Sequence, residues 1–348
     1  MSRTLKSIIY GLLLSAAVSS SVFAGVSGSL PYDRKNKTVK SLYTLVDENL
    51  ESSLRKAVNA NPRWKSLIRR KKMAIGIVDI GNPEAVRFAR INGGVMMYAA
   101  SLPKIAVLLA AAQALEDGKI KETPAVLADM RKMISHSDNA AATRMIDRLG
   151  FDYIEKVLTA PTYRFYNADR GGGLWVGKRY ASAGERHPEH LKGLSHAATA
   201  TQVCRFYYLL SMGKLVNRQR SRQMLEILSD PALHHKFVGV LEKRAPDATM
   251  FRKSGTWKDW HADSVMVWGP SWRRYIATAL VEDPDGEKIM RELIAVIDRL
   301  LERENQRKAI RVHASLTLPP DPEDDGSRLK ALITAAVAIE DFQQELNN

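Results

Sequence analysis

Ser101 and Lys104 lie three residues apart at the start of an apolar run rich in alanine and leucine. Three residues make almost one helical turn, so both side chains can point to the same side of a helix. Pro103 fits the first turn of that helix, because a residue there needs no N–H for the helical ladder. A serine hydroxyl attacks well only when a neighbouring base takes its proton, and a lysine amine can serve as that base.

The Ser-x-x-Lys string alone is weak, because it also begins at Ser53, Ser211 and Ser327. Two further motifs follow the Ser101–Lys104 pair along the chain. A Ser-Asp-Asn tripeptide at 137–139 precedes a predicted helix, and a Lys-Ser-Gly tripeptide at 253–255 ends a predicted strand. Each tripeptide occurs once in the chain. Their order and their predicted elements distinguish Ser101 from the other three serines.

Taken together, the three motifs resemble those of the penicillin-recognising serine hydrolases, and class A β-lactamases most closely. The resemblance covers roughly residues 42–301. It implies an acyl-serine intermediate with β-lactams, followed by hydrolysis of the β-lactam amide. Two alternatives stay open: a penicillin-binding D-alanyl-D-alanine peptidase with slow deacylation, and a non-catalytic cell-wall-binding module.

The resemblance also implies the role of each site residue. Ser101 would be the nucleophile, Lys104 its proton acceptor or relay, and Ser137 the group that passes a proton to the leaving nitrogen. The substrate-binding residues would be Asn139, Lys253, Ser254 and Thr256. Of these, Asn139 would bind the substrate's amide side chain and the Lys-Ser pair its carboxylate. The backbone N–H groups of Ser101 and Thr256 would form the oxyanion hole, and Asp138 would brace its loop.

A lysine acts as a base only when it is neutral, so burial or a nearby cation must lower its pKa to about 7–8. Lys253, facing Lys104 across the cleft, would supply that cation. One element of the family is missing: class A enzymes carry a Glu-x-x-Leu-Asn motif whose glutamate activates the deacylating water. No such string lies between Ser137 and Lys253. Glu185 and Glu189 are the alternatives in the corresponding loop, and without a dedicated base the acyl-enzyme should be long-lived.

Hydrophobic periodicity predicts the elements that must hold these motifs. Strand patterns lie near both ends of this region and helical patterns lie between them. We therefore predict an α/β (α+β) fold, in which an antiparallel sheet built from both chain ends is flanked by helices and carries an inserted all-helical lobe. Predicted strands are 73–80, 86–91, 249–253, 264–268 and 274–281. Predicted helices are 42–58, 101–116, 124–134, 140–149, 152–158, 199–212, 218–228 and 287–301, with a long loop at 160–195 and His196 at a helix start.

The N-terminus predicts export. Arg3 and Lys6 precede an apolar run at 8–18, and small residues end at Ala24, which is typical of a cleaved signal peptide. The run is too short to favour a membrane span, and no cysteine follows to anchor a lipid. We expect a signal peptide at 1–24, a leader at 25–38, the hydrolase domain at 39–303, and a linker with a helical extension at 304–348. The predicted location is secreted, in the periplasm.

The amino-acid composition limits the classes of molecule that this protein is expected to bind. The chain has 348 residues, 45% hydrophobic and 26% charged, with a net charge of +14, which is typical of a globular protein. The charge suits either an anionic partner or a basic surface kept for solubility. Basic residues are not interleaved with aromatic ones, so we expect no nucleic acid. Cys204 is the only cysteine and is predicted to be buried. The histidines lack metal-ligand spacing, so no metal or cofactor is expected. We predict a monomer without a stable membrane anchor that acts on a β-lactam or a peptidoglycan stem peptide.

Overall fold

The computed structural model describes residues 39–229 and 231–317. The predicted signal peptide and leader, and residues 318–348 of the predicted C-terminal extension, lie outside the described residues. In chain order the strands are β1 Met73–Asp79, β2 Arg87–Ile91, β3 Met97–Tyr98, β4 Tyr166–Asn167, β5 Gly172–Gly173, β6 Trp175–Val176, β7 His196–Ala198, β8 Thr249–Trp257, β9 Trp260–Trp268 and β10 Arg274–Glu282. The helices are α1 Glu48–Asn59, α2 Pro62–Arg69, α3 Lys104–Glu116, α4 Pro124–Ser135, α5 Asn139–Leu149, α6 Phe151–Thr159, α7 Ala200–Ser211, α8 Arg218–Leu228, α9 Lys236–Arg244 and α10 Gly286–Thr317.

The main sheet joins the two ends of the described chain. Its strand order is β2-β1-β10-β9-β8, and every neighbouring pair is antiparallel. The predicted architecture is confirmed, because β1 and β2 come before the helical lobe in sequence and the other three strands come after it. The strand β8, which carries the Lys-Ser-Gly motif, is therefore an edge strand.

Helices cover both faces of this sheet. Successive side chains of a strand point to opposite faces, and β1 shows this clearly. Ala74 and Val78 belong to a core shared with the lobe helices α3 to α8. Ile75 and Ile77 belong to a second core, with α1, α2, α9 and α10 on the far face. The lobe thus packs against the sheet face on which Gly255 of the third motif approaches Ser101.

The helix α3 lies in the middle of the lobe. Its side chains are apolar all round, which is typical of a fully buried helix, and its charged residue Lys104 is buried too. Nearby, α7 packs closely on β1 at Gly76, where a Cβ would lie 2.7 Å from the Cys204 sulfur. Cys204 is buried as predicted, and burial raises its thiol pKa to about 12. It is a core residue.

Several element boundaries differ from the prediction. A 3₁₀ turn covers Leu42–Thr44 and α1 begins only at Glu48, because Asp47 caps that helix by accepting from the Leu50 N–H. The short helix α9 was not predicted. The strands β8 and β9 extend to a two-residue turn, and α10 runs to Thr317, past residue 303. His196 begins strand β7 rather than a helix.

Within the described residues, none of the helices is long and apolar enough to span a membrane.

Candidate active site

Ser101 lies in a tight turn between β3 and α3. The Ala100 residue just before it has φ of +48°, a left-handed conformation that costs a non-glycine residue energy and is common at functional sites. The turn is fixed by backbone bonds from Leu102 N–H to Ala99 O (3.0 Å) and from Lys104 N–H to Ser101 O (3.2 Å). Ser101 is half-buried. Its position at the helix start agrees with the predicted placement of the nucleophile.

Strand β8 touches this turn at Gly255. A Cβ on Gly255 would lie 2.3 Å from Ala99 O and 2.7 Å from the backbone nitrogen of Ser101. Only glycine permits this approach, since no side chain fits between the two backbones. The third motif is therefore held directly against the first.

Lys104 joins the first motif to the second. Its ammonium nitrogen donates to the backbone oxygen of Ser137 at 2.6 Å and to Oδ1 of Asn139 at 2.7 Å, and lies 3.5 Å from Ser137 Oγ. The same Ser137 hydroxyl accepts a 2.8 Å hydrogen bond from Nζ of Lys253 on β8. All three sequence motifs thus meet around the Ser137 side chain.

Two lysine amines in one dry site cannot both be readily charged. Burial lowers the pKa of Lys104 to about 7, although the Asp138 carboxylate acts in the opposite direction. For Lys253, burial and the nearby Lys104 charge lower the pKa well below its usual range. Burial is thus the main cause of the lowered pKa of Lys104, whereas the sequence had also suggested the nearby charge of Lys253. A neutral Lys104 is accessible near pH 7, as a general base requires.

The loop that presents Ser137 is itself strained and capped. Ser137 has φ of +56°, outside the regions that side chains usually prefer. The next residue, Asp138, is the N-cap of α5, and its carboxylate accepts from the Ala141 N–H at 2.6 Å. Capping of this kind fixes the first turn of a helix. Asp138 thus braces the loop, as predicted, while Ser137 and Asn139 face Lys104.

The open edge of β8 faces the cleft. In the β8–β9 hairpin, Trp257 and Trp260 flank a two-residue turn and form its closing hydrogen-bonded pair. Alternation then places the N–H groups of Thr256 and Ser254 on the side away from β9. Ser254 is buried beside Lys253, whose ammonium also donates to the Ser254 carbonyl at 2.6 Å. The structure therefore brings Lys104, Ser137, Asn139 and Lys253 together beside the Ser101 turn. The side chains of Ser254 and Thr256 alternate to the opposite face of β8 from Lys253.

Lys236, at the start of α9, is a buried residue that the sequence reading missed. Its ammonium donates to Gly255 O and Thr256 Oγ1, both at 2.7 Å, from the sheet face opposite the lobe. Burial lowers its pKa to about 8, with Asp263 acting in the opposite direction. No motif marks this lysine, and only the unusual burial of a charged group identifies it. It holds the end of β8 that approaches Ser101.

Tyr180, from the long loop, also reaches Lys104. The Lys104 ammonium lies 4.4 Å from the centre of the Tyr180 ring, within cation–π range, and the Tyr180 hydroxyl donates to Ala100 O at 3.3 Å. Burial raises the phenol pKa well above its usual value, so this hydroxyl is not a base. His196 packs on the ring at 4.3 Å, and burial lowers its pKa to about 4. Sequence analysis singled out neither role.

Neither alternative glutamate has the environment of a deacylating base. Glu189 is buried, and its carboxylate accepts hydrogen bonds from the Tyr166 hydroxyl and from the N–H groups of Leu191, Lys192 and Leu194. Burial would raise its pKa, but these hydrogen bonds lower it below the usual value. Glu189 is thus a brace for its own turn. Glu185 is exposed.

The serines of the other Ser-x-x-Lys strings do not lie beside the second and third motifs. Ser53 lies on α1 and donates to Glu304 at 3.2 Å. Ser211 is buried at the end of α7, where it donates to Tyr208 O at 2.8 Å, and Ser327 lies outside the described residues. Across the part of the chain that the structure describes, no three histidine, cysteine, aspartate or glutamate side chains are placed to hold a metal ion.

The fold and the meeting of the three motifs are those expected of a β-lactamase-like or penicillin-binding protein. Comparison with known proteins agrees. The family model "Beta-lactamase enzyme family" matches residues 125–303, which include the second and third motifs. The chain belongs to this β-lactamase family. A search of curated protein sequences returns no match.

Solved structures support the fold. A β-lactamase from Sphaerobacter thermophilus aligns with a TM-score of 0.54 at 18% identity, over 78% of this chain and 99% of that one. PBP-A aligns with a TM-score of 0.54 at 18% identity, over 74% and 97% of the two chains. A PBP-A mutant solved as an acyl-enzyme complex with penicillin G aligns with a TM-score of 0.53 at 19% identity, over 74% and 98%. At these identities the similarity establishes the shared fold.

Proposed function

We propose that Ser101 is acylated by β-lactams and that the acyl-enzyme is then hydrolysed, with deacylation as the slow step. The observation that carries this proposal is the meeting of Lys104 and Lys253 at Ser137, beside Ser101. A non-catalytic wall-binding module has no need for a buried lysine with a pKa near 7. Such perturbed groups in a cleft are typical of catalytic sites.

Acylation begins with Lys104. In its neutral form it takes the Ser101 proton, and the serine oxygen bonds to the lactam carbonyl carbon. The resulting oxyanion is held by the backbone N–H groups of Ser101 and Thr256. Losing one such donor typically costs about 3–4 kcal/mol of transition-state stabilisation. The close contact at Gly255 supports this arrangement, because it brings the edge of β8 next to the Ser101 backbone.

Collapse of the oxyanion breaks the carbon–nitrogen bond. Ser137, which bonds Lys253 and lies near Lys104, gives its proton to the leaving nitrogen and regains one from a lysine. Lys253 and Ser254 bind the substrate carboxylate. Asn139 accepts from Lys104 through its oxygen, so its NH₂ group remains as a donor for the substrate's amide side chain.

Slow deacylation follows from the surroundings of Lys104. The described groups that contact its ammonium are Ser137, Asn139 and the Tyr180 ring, and none of them is a carboxylate. This favours the second candidate function as well: a penicillin-binding D-alanyl-D-alanine peptidase, whose acyl-enzyme with β-lactams persists.

Intact-mass analysis with penicillin G tests the proposal. The wild type should gain one penicilloyl adduct, and Ser101→Ala should gain none. Ser53→Ala is the matched control, because Ser53 also begins a Ser-x-x-Lys string, and it should react like the wild type. An unmodified wild-type protein at every penicillin concentration would refute acylation. Decay of the adduct within seconds would refute slow deacylation and favour an efficient β-lactamase.

Export to the periplasm is part of the same proposal. It rests on the basic and then apolar pattern before Ala24. N-terminal sequencing of protein recovered from the periplasm should begin at Gly25. An intact N-terminus on the recovered protein would contradict cleavage.

A further inference from the structure

Three arginines lie around the Tyr43 ring. The guanidinium of Arg170 lies 5.9 Å from the ring centre, within cation–π range. The Tyr43 hydroxyl accepts a hydrogen bond from Nε2 of Gln202 at 3.2 Å, and Oε1 of the same Gln202 accepts from Nη1 of Arg205 at 3.3 Å. Gln202 is buried on α7, so it holds Tyr43 and Arg205 in fixed positions.

Arg164 is the third arginine, and Arg205 packs against its backbone. Nη1 of Arg205 donates to Tyr163 O, and to Arg164 O at 3.4 Å. The Arg164 side chain is exposed. Burial lowers the pKa of Arg205, the Tyr43 phenol acts in the opposite direction, and the Arg164 charge adds to the lowering. The two guanidinium groups are therefore close enough to repel each other.

One edge of the Arg205 guanidinium has no acceptor. All the described hydrogen bonds of this half-buried side chain come from Nη1, and the Phe165 ring covers one face of the group at 5.0 Å. Within the described residues, Nε and Nη2 have no hydrogen-bond partner. Charged donors that are partly buried and unfilled cost free energy, which an acceptor would offset.

The group also has no balancing charge among the residues that the structure describes. None of Arg164, Arg170 and Arg205 forms an ion pair there, and the neighbouring Asp169 is exposed and forms none either. Arg220, by contrast, is paired with two glutamates. Like charges gathered without a counter-charge raise the free energy of the site, so an anionic ligand would stabilise it.

We propose that Arg164, Arg170 and Arg205 form a binding site for the phosphate group of a ligand. An arginine fork presents two parallel N–H donors to two phosphate oxygens, and Arg205 holds such an edge in a fixed position. A phosphate group fits three cations better than a carboxylate does, because it carries close to two charges and three acceptor oxygens. It is a second site: α7 packs on β1 at Gly76, and β10 and β9 separate β1 from β8.

Titration of the full chain with inorganic phosphate, followed by ³¹P NMR, tests this site. An ionic strength of about 0.15 M screens attraction to the surface as a whole. The double variant Arg164→Ala/Arg170→Ala changes only exposed side chains, so it should stay folded and bind at least about tenfold more weakly. Arg205→Lys keeps the charge but lacks the fork, and it should also bind more weakly.

Arg69→Ala/Arg70→Ala is the matched control, because it removes the same charge from two exposed arginines at the end of α2. It should bind phosphate like the wild type. No binding to the wild type, or equal losses in the two double variants, would overturn the site.

Phosphatidylcholine vesicles with and without phosphatidic acid distinguish the two sources of a phosphate group. Tighter binding to the phosphatidic acid vesicles than to inorganic phosphate, lost in Arg164→Ala/Arg170→Ala, would support the site and make a lipid headgroup its ligand. Binding to inorganic phosphate alone, lost in the same variant, would support the site and make a soluble phosphate compound its ligand. Binding to either probe that this variant retains in full would overturn it.

Discussion

The two walls of the cleft are built in different ways. The sheet wall, residues 253–256 of β8, is held by a regular antiparallel ladder to β9. The loop wall, residues 177–196, has little regular structure and is held by side chains. His187 stacks between Phe151 and Trp175, and His187 and His190 both contact the Glu155 carboxylate. The sheet wall fixes the groups that are proposed to act on the substrate, whereas the loop wall supplies the Tyr180 ring beside Lys104.

This difference separates two kinds of catalytic requirement. Transition-state donors must be placed to within a fraction of an ångström, and regular secondary structure does this well. Lowering the pKa of Lys104 needs only the exclusion of water, which a packed aromatic ring can provide. We therefore expect changes to the sheet wall to abolish acylation, and changes to the loop wall to shift its pH dependence.

The largest effect is expected for Gly255→Ala in the sheet wall. The new Cβ would lie 2.3 Å from Ala99 O, so β8 must move away from the Ser101 turn. Separating two oxyanion donors should lower the acylation rate constant by at least about 100-fold. The rate of penicillin adduct formation measures this.

Gly94→Ala is the control for that substitution, because a Cβ there meets nothing within 4 Å. It should react at the wild-type rate. A Gly255→Ala protein that is acylated as fast as the wild type would show that the close contact is not needed.

An intermediate effect is expected for Tyr180→Ala on the pH dependence of the acylation rate. Lys104 must be neutral to accept a proton, and its pKa is about 7. The wild-type acylation rate should therefore fall as pH decreases below about 7, by about tenfold per unit, and level off above it. In Tyr180→Ala, water reaches the ammonium and the charged form is favoured, so the midpoint should move to higher pH.

Tyr180→Phe keeps the ring over Lys104 and should keep the wild-type midpoint. The measurement is the acylation rate constant from pH 5 to 9 for all three proteins. A midpoint that is unchanged in Tyr180→Ala would mean that the loop wall does not keep Lys104 dry.

The smallest effect on acylation is expected for Glu189→Gln in the loop wall. Both carboxylate oxygens accept two hydrogen bonds each, so an NH₂ group in either orientation faces donors. Leaving buried donors unsatisfied typically costs about 1–3 kcal/mol of folding stability. The variant should therefore unfold at a lower temperature than the wild type. Acylation and deacylation at a temperature where the protein stays folded should change less than about twofold. A strong loss of deacylation alone would make Glu189 a base after all.

The sequence predicted the sheet wall and the lobe better than the loop wall. Motif residues such as Lys253 lie on a regular strand, so their spacing in the sequence predicts their relative positions in the structure. The contact of Tyr180 with Lys104 depends on a path through residues 160–195 that has no periodicity. Lys236 was missed for a related reason: a lysine near a short helix is usually exposed, and only tertiary packing buries it. Sequence could not choose between Glu185 and Glu189, because a carboxylate that caps a turn and one that activates water look alike in sequence.

The pairing of β1 with β10 has a consequence for synthesis. These strands are separated by more than half of the chain, and β8 is joined to β1 only through β9 and β10. Contacts so distant in sequence form late, because a long loop must first close. A chain emerging from the ribosome can therefore assemble the lobe around Ser101 and Lys104 well before Lys253 is fixed beside them. The serine should become reactive only when nearly the whole domain has been made, which delays its chemistry until the protein is complete.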